Sequence, residues 1–147
     1  MSDVEIRRSW RLCRELRLLA EARSSHLRFL LPEDGHLNTI RLILTPAAGP
    51  YRARPVTFQV SLPSDWPFMP PILSAITSVF HPNIARGRVC LNLTRDDYDR
   101  GLTLTAIAHA LLLILATPTP DDPLDPEAAE AVRNGTWEAE VNSRLTE

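Results

Sequence analysis

The chain has 147 residues, a length that suits one domain with a single core. With 44% hydrophobic residues, 23% charged residues and a formal net charge of -2, it has a soluble globular composition, not the basic balance of a general nucleic-acid binder. Its longest apolar run, ALLLILA, is far too short to span a bilayer, and its two cysteines, Cys13 and Cys90, make no disulfide framework and point to a reducing compartment.

The N-terminus MSDVEIRRSWRLC has no apolar core ahead of a small-residue cleavage site, so no secretory signal is expected. Residues 3 to about 22 predict a helix. Ile6, Trp10, Cys13, Leu16 and Ala20 fall on one apolar stripe expected to face the core, with Leu12 and Leu19 at its flank. Cys13 is then expected to be a buried small hydrophobe. Arg7, Arg11 and Arg14 keep the same step on another face, where a solvated stripe is the ordinary outcome.

Alternation predicts strands next: Leu27, Phe29 and Leu31 in HLRFLL; Ile40, Leu42 and Leu44 in TIRLILT; Val56, Phe58, Val60 and Leu62 in VTFQVSL. ILSAI is a shorter fourth candidate, and PEDG and PAAGP supply turns between the strands. Such a succession reads as a four-stranded antiparallel meander with one face buried. From Thr103 the period changes to that of a helix, TLTAIAHALLLILAT, capped by Thr103 or Thr105 and stopped at Thr117-Pro118. DPEAAEAVRN predicts a short helix with Pro126 in its first turn and Asn134-Gly135 at its end, and TWEAEVNSRLTE a last one. Helix, strands and then helices is an α+β order, here within one domain over residues 1–147.

All 16 basic residues are arginine; lysine is absent. Two readings stand side by side. A GC-rich genome exchanges arginine for lysine wholesale, or the chain avoids primary amines for a chemical reason.

The segment FHPNIARGRVCLNL carries the chemistry. A lone thiol in RVCLNL is most often a core residue. No His/Asp pair surrounds Cys90 of the kind a cysteine hydrolase needs, and His81, held in a His-Pro-Asn turn with Pro82, suits a backbone hydrogen bond better than a base. There is no CxxC and no clustered His/Cys set, so no metal site is expected. What remains is a thiol without an obvious base and with a carboxamide, Asn83, set in a proline-fixed turn. That pairing suits acyl transfer through a thioester, the amide steadying the oxyanion.

Through these residues the chain resembles the ubiquitin-conjugating enzymes. RLCRELRLLA is similar to the family's first helix, LPSDWPFMPP to its proline-rich loop, FHPNI…G…VCLNL to its signature motif, and LTLTAIAHALLLILATPTPDDPLDPEAA to its second helix and the crossover behind it. LNTIRLILTPAAGPY and CLNL…DDPLDPEAAEAV lean towards the branch serving the neddylation-type modifier, and compact bacterial relatives are the other comparison. The resemblance implies a UBC-type α+β core that receives ubiquitin or a ubiquitin-like modifier from an activating enzyme as a Cys90 thioester and passes it to an amine. A binding module of the same fold, presenting a modifier without transfer, is the alternative.

The resemblance also assigns roles by position. Cys90 is the acyl carrier, Asn83 the oxyanion donor or the residue holding the loop, and Asp122 the acid that desolvates and orients the acceptor lysine. His81 and Pro82 build the motif's turn; Asn92, Tyr98 and Leu124 support the site. Arg7, Arg11 and Arg14 form the face meeting the activating enzyme, and Phe68, Arg100 and Gly101 the ligase-contacting loops. Arg100-Gly101 stand where ligase-binding relatives usually show Pro-Ala, and the Asn83-to-Cys90 interval is one residue shorter than the common family spacing. No cofactor is implied for this chain, because ATP is consumed by the activating enzyme. A RING-type ligase is the further partner; neither nucleic acid nor membrane is. A monomer is expected, cytoplasmic and in a eukaryote also nuclear. In such an enzyme the absence of lysine would protect against self-modification.

Overall fold

The structure, a computed structural model, describes residues 1–146. The first helix, α1, runs Asp3–Glu21. The Ser2 hydroxyl accepts the Glu5 N–H at 3.1 Å while the Glu5 carboxylate accepts the Ser2 N–H at 2.8 Å, a reciprocal cap that satisfies two donors at the helix start. Four strands follow as an antiparallel meander: β1 Leu27–Leu30, β2 Thr39–Leu44, β3 Val56–Ser61 and β4 Ile72–Ala75. Alternation sets their faces. Ile40, Leu42 and Leu44 of β2 and Val56, Phe58 and Val60 of β3 point into the core, while the residues between them stay more open.

Two short strands extend the sheet beyond the four expected: β5 Ile84–Ala85 and β6 Arg88–Val89, giving the order β1-β2-β3-β4-β6-β5. They form a hairpin closed by Arg86-Gly87, both with positive φ (53° and 78°). Two residues with positive φ match the right-handed twist of the flanking strands, and glycine takes one of these positions without steric cost.

Helix α2, Leu104–Ala116, packs on the inner face of the sheet through Leu104, Ile107, Ala108, Leu111 and Leu115. Each fully buried leucine or isoleucine of this kind contributes roughly 1.5–3 kcal/mol. Thr103 caps it, its hydroxyl accepting the Ala106 N–H at 3.0 Å. Helices α3 (Pro126–Asn134) and α4 (Trp137–Leu145) close the fold, with the Asp125 side chain capping α3 and Gly135 at φ 75° ending it. Among the described residues no helix is long and apolar enough to cross a membrane.

The face that α1 buries differs from the apolar stripe. Leu12, Glu15 and Leu19 are buried, whereas Ile6, Trp10, Cys13 and Ala20 are exposed, Trp10 at 77%. Two polar anchors turn the helix. The Glu15 carboxylate accepts the N–H of Leu104 at 2.7 Å, satisfying an orphan donor at the start of α2. Arg11 lies 3.4 Å from that carboxylate, donates to the carbonyls of Arg100 and Leu102 at 2.7 and 3.0 Å, and stacks with Arg8 on the buried Trp66 ring. Arg11 is thus spent inside the molecule, and only Arg7 and Arg14 of the expected trio are exposed.

Candidate functional site

The β5–β6 hairpin positions the thiol. Its register pairs Ile84 with Val89 and Ala85 with Arg88, so the next pair outward is Asn83 opposite Cys90. The Cys90 N–H donates to the Asn83 carbonyl at 2.8 Å, continuing the ladder by one rung. The seven-residue interval is therefore two strand pairs, one extra rung and a two-residue turn. Directly opposite residues put their side chains on the same face of the ladder, which gives the thiol and the carboxamide a common outlook.

His81 and Pro82 fix this hairpin to the core. Nε2 of the buried imidazole donates to the Ile114 carbonyl at 2.7 Å, and Nδ1 accepts the Asn83 N–H at 3.0 Å, an arrangement that needs the neutral ring. Burial pushes His81 down to about 4, partly offset by its bond to Ile114. The Pro82 carbonyl accepts the N–H groups of Leu124 and Asp125 at 2.8 and 3.1 Å, pinning the segment ahead of α3 beside the turn.

A pH dependence of stability follows. The unfolded chain protonates its histidines near pH 6.5, above the folded value of His81, so the unfolded state gains the proton first. The contribution of a neutral His81 is complete above pH 6.5 and is lost as pH falls from there towards 4. By pH 5, before most carboxylates titrate, the loss amounts to about 2 kcal/mol, or roughly 6 °C in Tm for a chain of this size. Thermal melts between pH 7 and 5 check this; a flat Tm across that interval would show that His81 is not held neutral.

Cys90 is half-buried and lines a shallow cleft of about 540 Å³ with Asn83, Leu91, Asn92, Leu93, Asp97, Ala110, Leu113, Ile114, Thr119, Asp121 and Asp122. The cleft lies between the cysteine segment, the outer face of α2 and the proline-rich loop behind it. Of the residues singled out from the sequence, Cys90, Asn83, Asn92 and Asp122 share it. Asp122 sits in the left-handed region (φ 47°), which aspartate tolerates better than most residues. Among the described residues the Asn83 carboxamide makes no hydrogen bond; the residue's bonds run through its backbone.

Tyr98 and Leu124, expected to support the site, do not line the cleft. The Tyr98 hydroxyl donates to the Pro67 carbonyl, and burial raises the phenol above its usual range. Leu124 acts through its backbone on Pro82 and lines a separate hollow with Ile84 and Arg86. Phe68, 64% exposed, lies 5.7 Å from the Arg100 guanidinium, so the two loops containing them form one surface. The Gly101 N–H donates to the Asp99 carboxylate at 2.6 Å in the same turn.

Sequence reasoning missed three participants. Asp97 and Asp121 add carboxylates to the cleft, giving three with Asp122. Arg95 brings the cation nearest the thiol: its guanidinium contacts the Cys90 sulfur at 2.7 Å. Acidic doublets in RDDY and PDDP were the available signal for the first two. For Arg95 there was none, since nothing in its spacing from the cysteine reveals how the turn folds back.

Chemically, the cleft offers a nucleophilic sulfur, an unpaired amide donor on the same ladder face and carboxylates at the mouth, the parts needed to hold an acyl group and present it to an amine. Among the described residues no cluster of histidine, cysteine and acidic side chains could hold a metal ion.

Comparison with known proteins identifies the family. The family described as ubiquitin-conjugating enzyme matches residues 11–146. The Nedd8-conjugating enzyme UbcE2M of Drosophila melanogaster is 35% identical over 76% of this chain, which spans 62% of that protein. The NEDD8-conjugating enzyme Ubc12 of Dictyostelium discoideum is 36% identical over 71% of the chain, which spans 46% of it. The probable ubiquitin-conjugating enzyme E2 31 of Arabidopsis thaliana is 32% identical over 70% of the chain and is spanned to 68%. Among solved structures, S. cerevisiae Ubc12 superposes with a TM-score of 0.81 at 27% identity, over 90% of this chain and 73% of that one. The E2 domain of a Toxoplasma gondii ubiquitin conjugating enzyme gives 0.80 at 25% identity, over 90% and 93%.

Proposed function

Because the chain belongs to the ubiquitin-conjugating enzyme family, we propose that it accepts a ubiquitin-like modifier from an activating enzyme as a thioester on Cys90 and transfers it to a target amine, typically lysine. The observation that carries this reading is the shared outlook of Cys90 and Asn83 on a cleft whose mouth holds Asp97, Asp121 and Asp122. The modifier is of the Nedd8 type, the kind named for two of its relatives. The chain serves as one catalytic core, with no cofactor of its own, in the cytoplasm.

In the charging step the Cys90 thiolate attacks the carbonyl carbon of the modifier's thioester on the activating enzyme. A new C–S bond forms and the donor's thiolate leaves. In the transfer step the target amine attacks the same carbon, and the negative charge passes to the carbonyl oxygen. The Asn83 amide faces that oxygen; one such donor is typically worth about 3 kcal/mol. The C–S bond then breaks, sulfur takes the electron pair, and the amine's extra proton leaves through the carboxylates or water.

The acceptor needs help before it attacks. A free lysine, with pKa near 10.4, is neutral in fewer than about one molecule in a thousand at pH 7. Three carboxylates at the mouth draw the ammonium in, Asp122 orients it and takes one proton to leave the neutral amine that attacks, and the second proton leaves once the C–N bond has formed. A hydrolase is poorly served by this cleft, because the buried neutral His81 has both ring nitrogens occupied and cannot activate water.

Partner surfaces follow from exposure. The activating enzyme meets the outward face of α1, where Arg7, Arg14 and Arg17 surround exposed Trp10. A ligase of the RING type meets the Phe68, Met69 and Arg100 surface, whose added charge selects a partner with an acidic rim.

The test is a charging reaction with the activating enzyme, ATP and the modifier, run on a non-reducing gel. The expected result is one adduct that thiol reductant removes. Absence of a reducible adduct with both ubiquitin and a Nedd8-type modifier would return the chain to a binding role.

A further inference from the structure

We propose that Arg95 is a further catalytic residue, the cation serving the Cys90 sulfur, and that it must be arginine because a lysine there would capture the acyl group. The proposal rests on the reading of Cys90 as acyl carrier and adds a residue to its chemistry.

The geometry is local. After Cys90 the chain turns through a 3-10 helix, Asn92–Thr94, in which the Thr94 and Arg95 N–H groups donate to the carbonyls of Leu91 and Asn92, both at 3.0 Å. That turn reverses the backbone and brings a side chain five residues on back over the sulfur, with Nη1 of Arg95 at 2.7 Å from Sγ. Arg95 is exposed and buries no stem in the core, so packing gives no reason for its placement. Its hydrogen bond to the sulfur, and the nearby charges of Asp96 and Asp122, raise the guanidinium further above its ordinary value.

A cation at this position acts in both steps. In charging it lies against the sulfur that attacks the incoming thioester. In transfer it receives the negative charge on sulfur as the C–S bond breaks and the electron pair returns to Sγ. With no buried base on the thiol, Arg95 is the group in direct contact that can stabilise that charge.

The same closeness makes the choice of cation decisive. A lysine can lose a proton and present a lone pair to a carbonyl carbon held within its reach, and intramolecular reactions of that kind reach very high effective molarities. The amine nitrogen would bond to the acyl carbon, the C–S bond would break, sulfur would leave as thiolate, and the amine's proton would pass to water. The result is a modifier fixed to the enzyme by an isopeptide bond. Arginine supplies the charge without the hazard, since its guanidinium stays protonated and its nitrogen electrons are delocalised. The absence of lysine among all 16 basic residues extends the same rule to the rest of the chain.

Two variants of the whole chain test this. In the uncharged protein, Arg95→Gln is expected to lower the ratio of Cys90 alkylation rates by anionic iodoacetate and neutral iodoacetamide about threefold, the size of effect an exposed charge produces. This arm uses no activating enzyme, so it reports on Arg95 even should charging fail; an unchanged ratio overturns the contact. In a charging reaction, Arg95→Lys is expected to accumulate a reductant-resistant adduct at position 95, mapped by mass spectrometry, at a rate independent of enzyme concentration. The parent chain accumulates none. An Arg95→Lys enzyme that charges normally and stays free of that adduct overturns the lysine exclusion while leaving the carrier role of Cys90 intact.

Discussion

Cys90→Ala is expected to abolish charging altogether, while Cys90→Ser accepts the modifier slowly and holds it as an oxyester that thiol reductant does not remove. The alanine chain has no nucleophile in the cleft. Serine has one, but its hydroxyl is far less acidic than a thiol, and the nearby imidazole cannot take its proton, because His81 is committed to Ile114 and Asn83. Transfer from serine to an amine should fall below detection. An alkoxide is a much poorer leaving group than a thiolate, and Arg95 cannot make good that difference. Single-turnover gels with and without reductant distinguish the three chains. A reducible adduct persisting in Cys90→Ala would place the carrier elsewhere, and exposed Cys13 is then the thiol to replace next.

Most of the fold was legible because its long elements obey a period. The faces of β2 and β3 follow from alternation alone, and α2 from the change of period at Thr103, where the cap forms as the sequence implies. The hairpin β5–β6 escaped because two residues on a strand are too few to show an alternation. The register it imposes is nonetheless what makes the short Asn83-to-Cys90 interval workable. A two-residue turn at Arg86-Gly87 consumes little chain and still sets thiol and amide opposite each other.

The face of α1 was misjudged for a different reason. An apolar stripe is a sound guide when buried positions are apolar, but here Glu15 and Arg11 are drawn inward by backbone groups of the loop and helix that α1 packs against. Those carbonyls and that N–H come from residues about 90 positions away, and no local pattern announces them. Trp10, expected in the core, lies instead on the exposed face of α1, and Arg11 is withdrawn from that face. Of the cleft's residues, Cys90, Asn83, Asn92 and Asp122 were singled out from the sequence, while Asp97 and Asp121 in the lining and Arg95 against the thiol were not.

Asn83→Ala is expected to slow transfer of the modifier to an amine by about 100-fold, the loss of one oxyanion donor. Folding should be untouched. The side chain makes no hydrogen bond among the described residues, and the two bonds that hold this position, from its N–H to His81 and from the Cys90 N–H to its carbonyl, belong to the backbone. A structural role and a chemical one can be separated by alkylating the thiol with iodoacetamide. That displacement uses the same sulfur but forms no tetrahedral oxyanion, so it should proceed in Asn83→Ala at the parental rate. If alkylation slows together with transfer, or the Tm drops by several degrees, the amide is holding the hairpin in place. If transfer alone collapses, the carboxamide opposite Cys90 acts on the carbonyl oxygen itself, and the seven-residue interval is the device that puts it there.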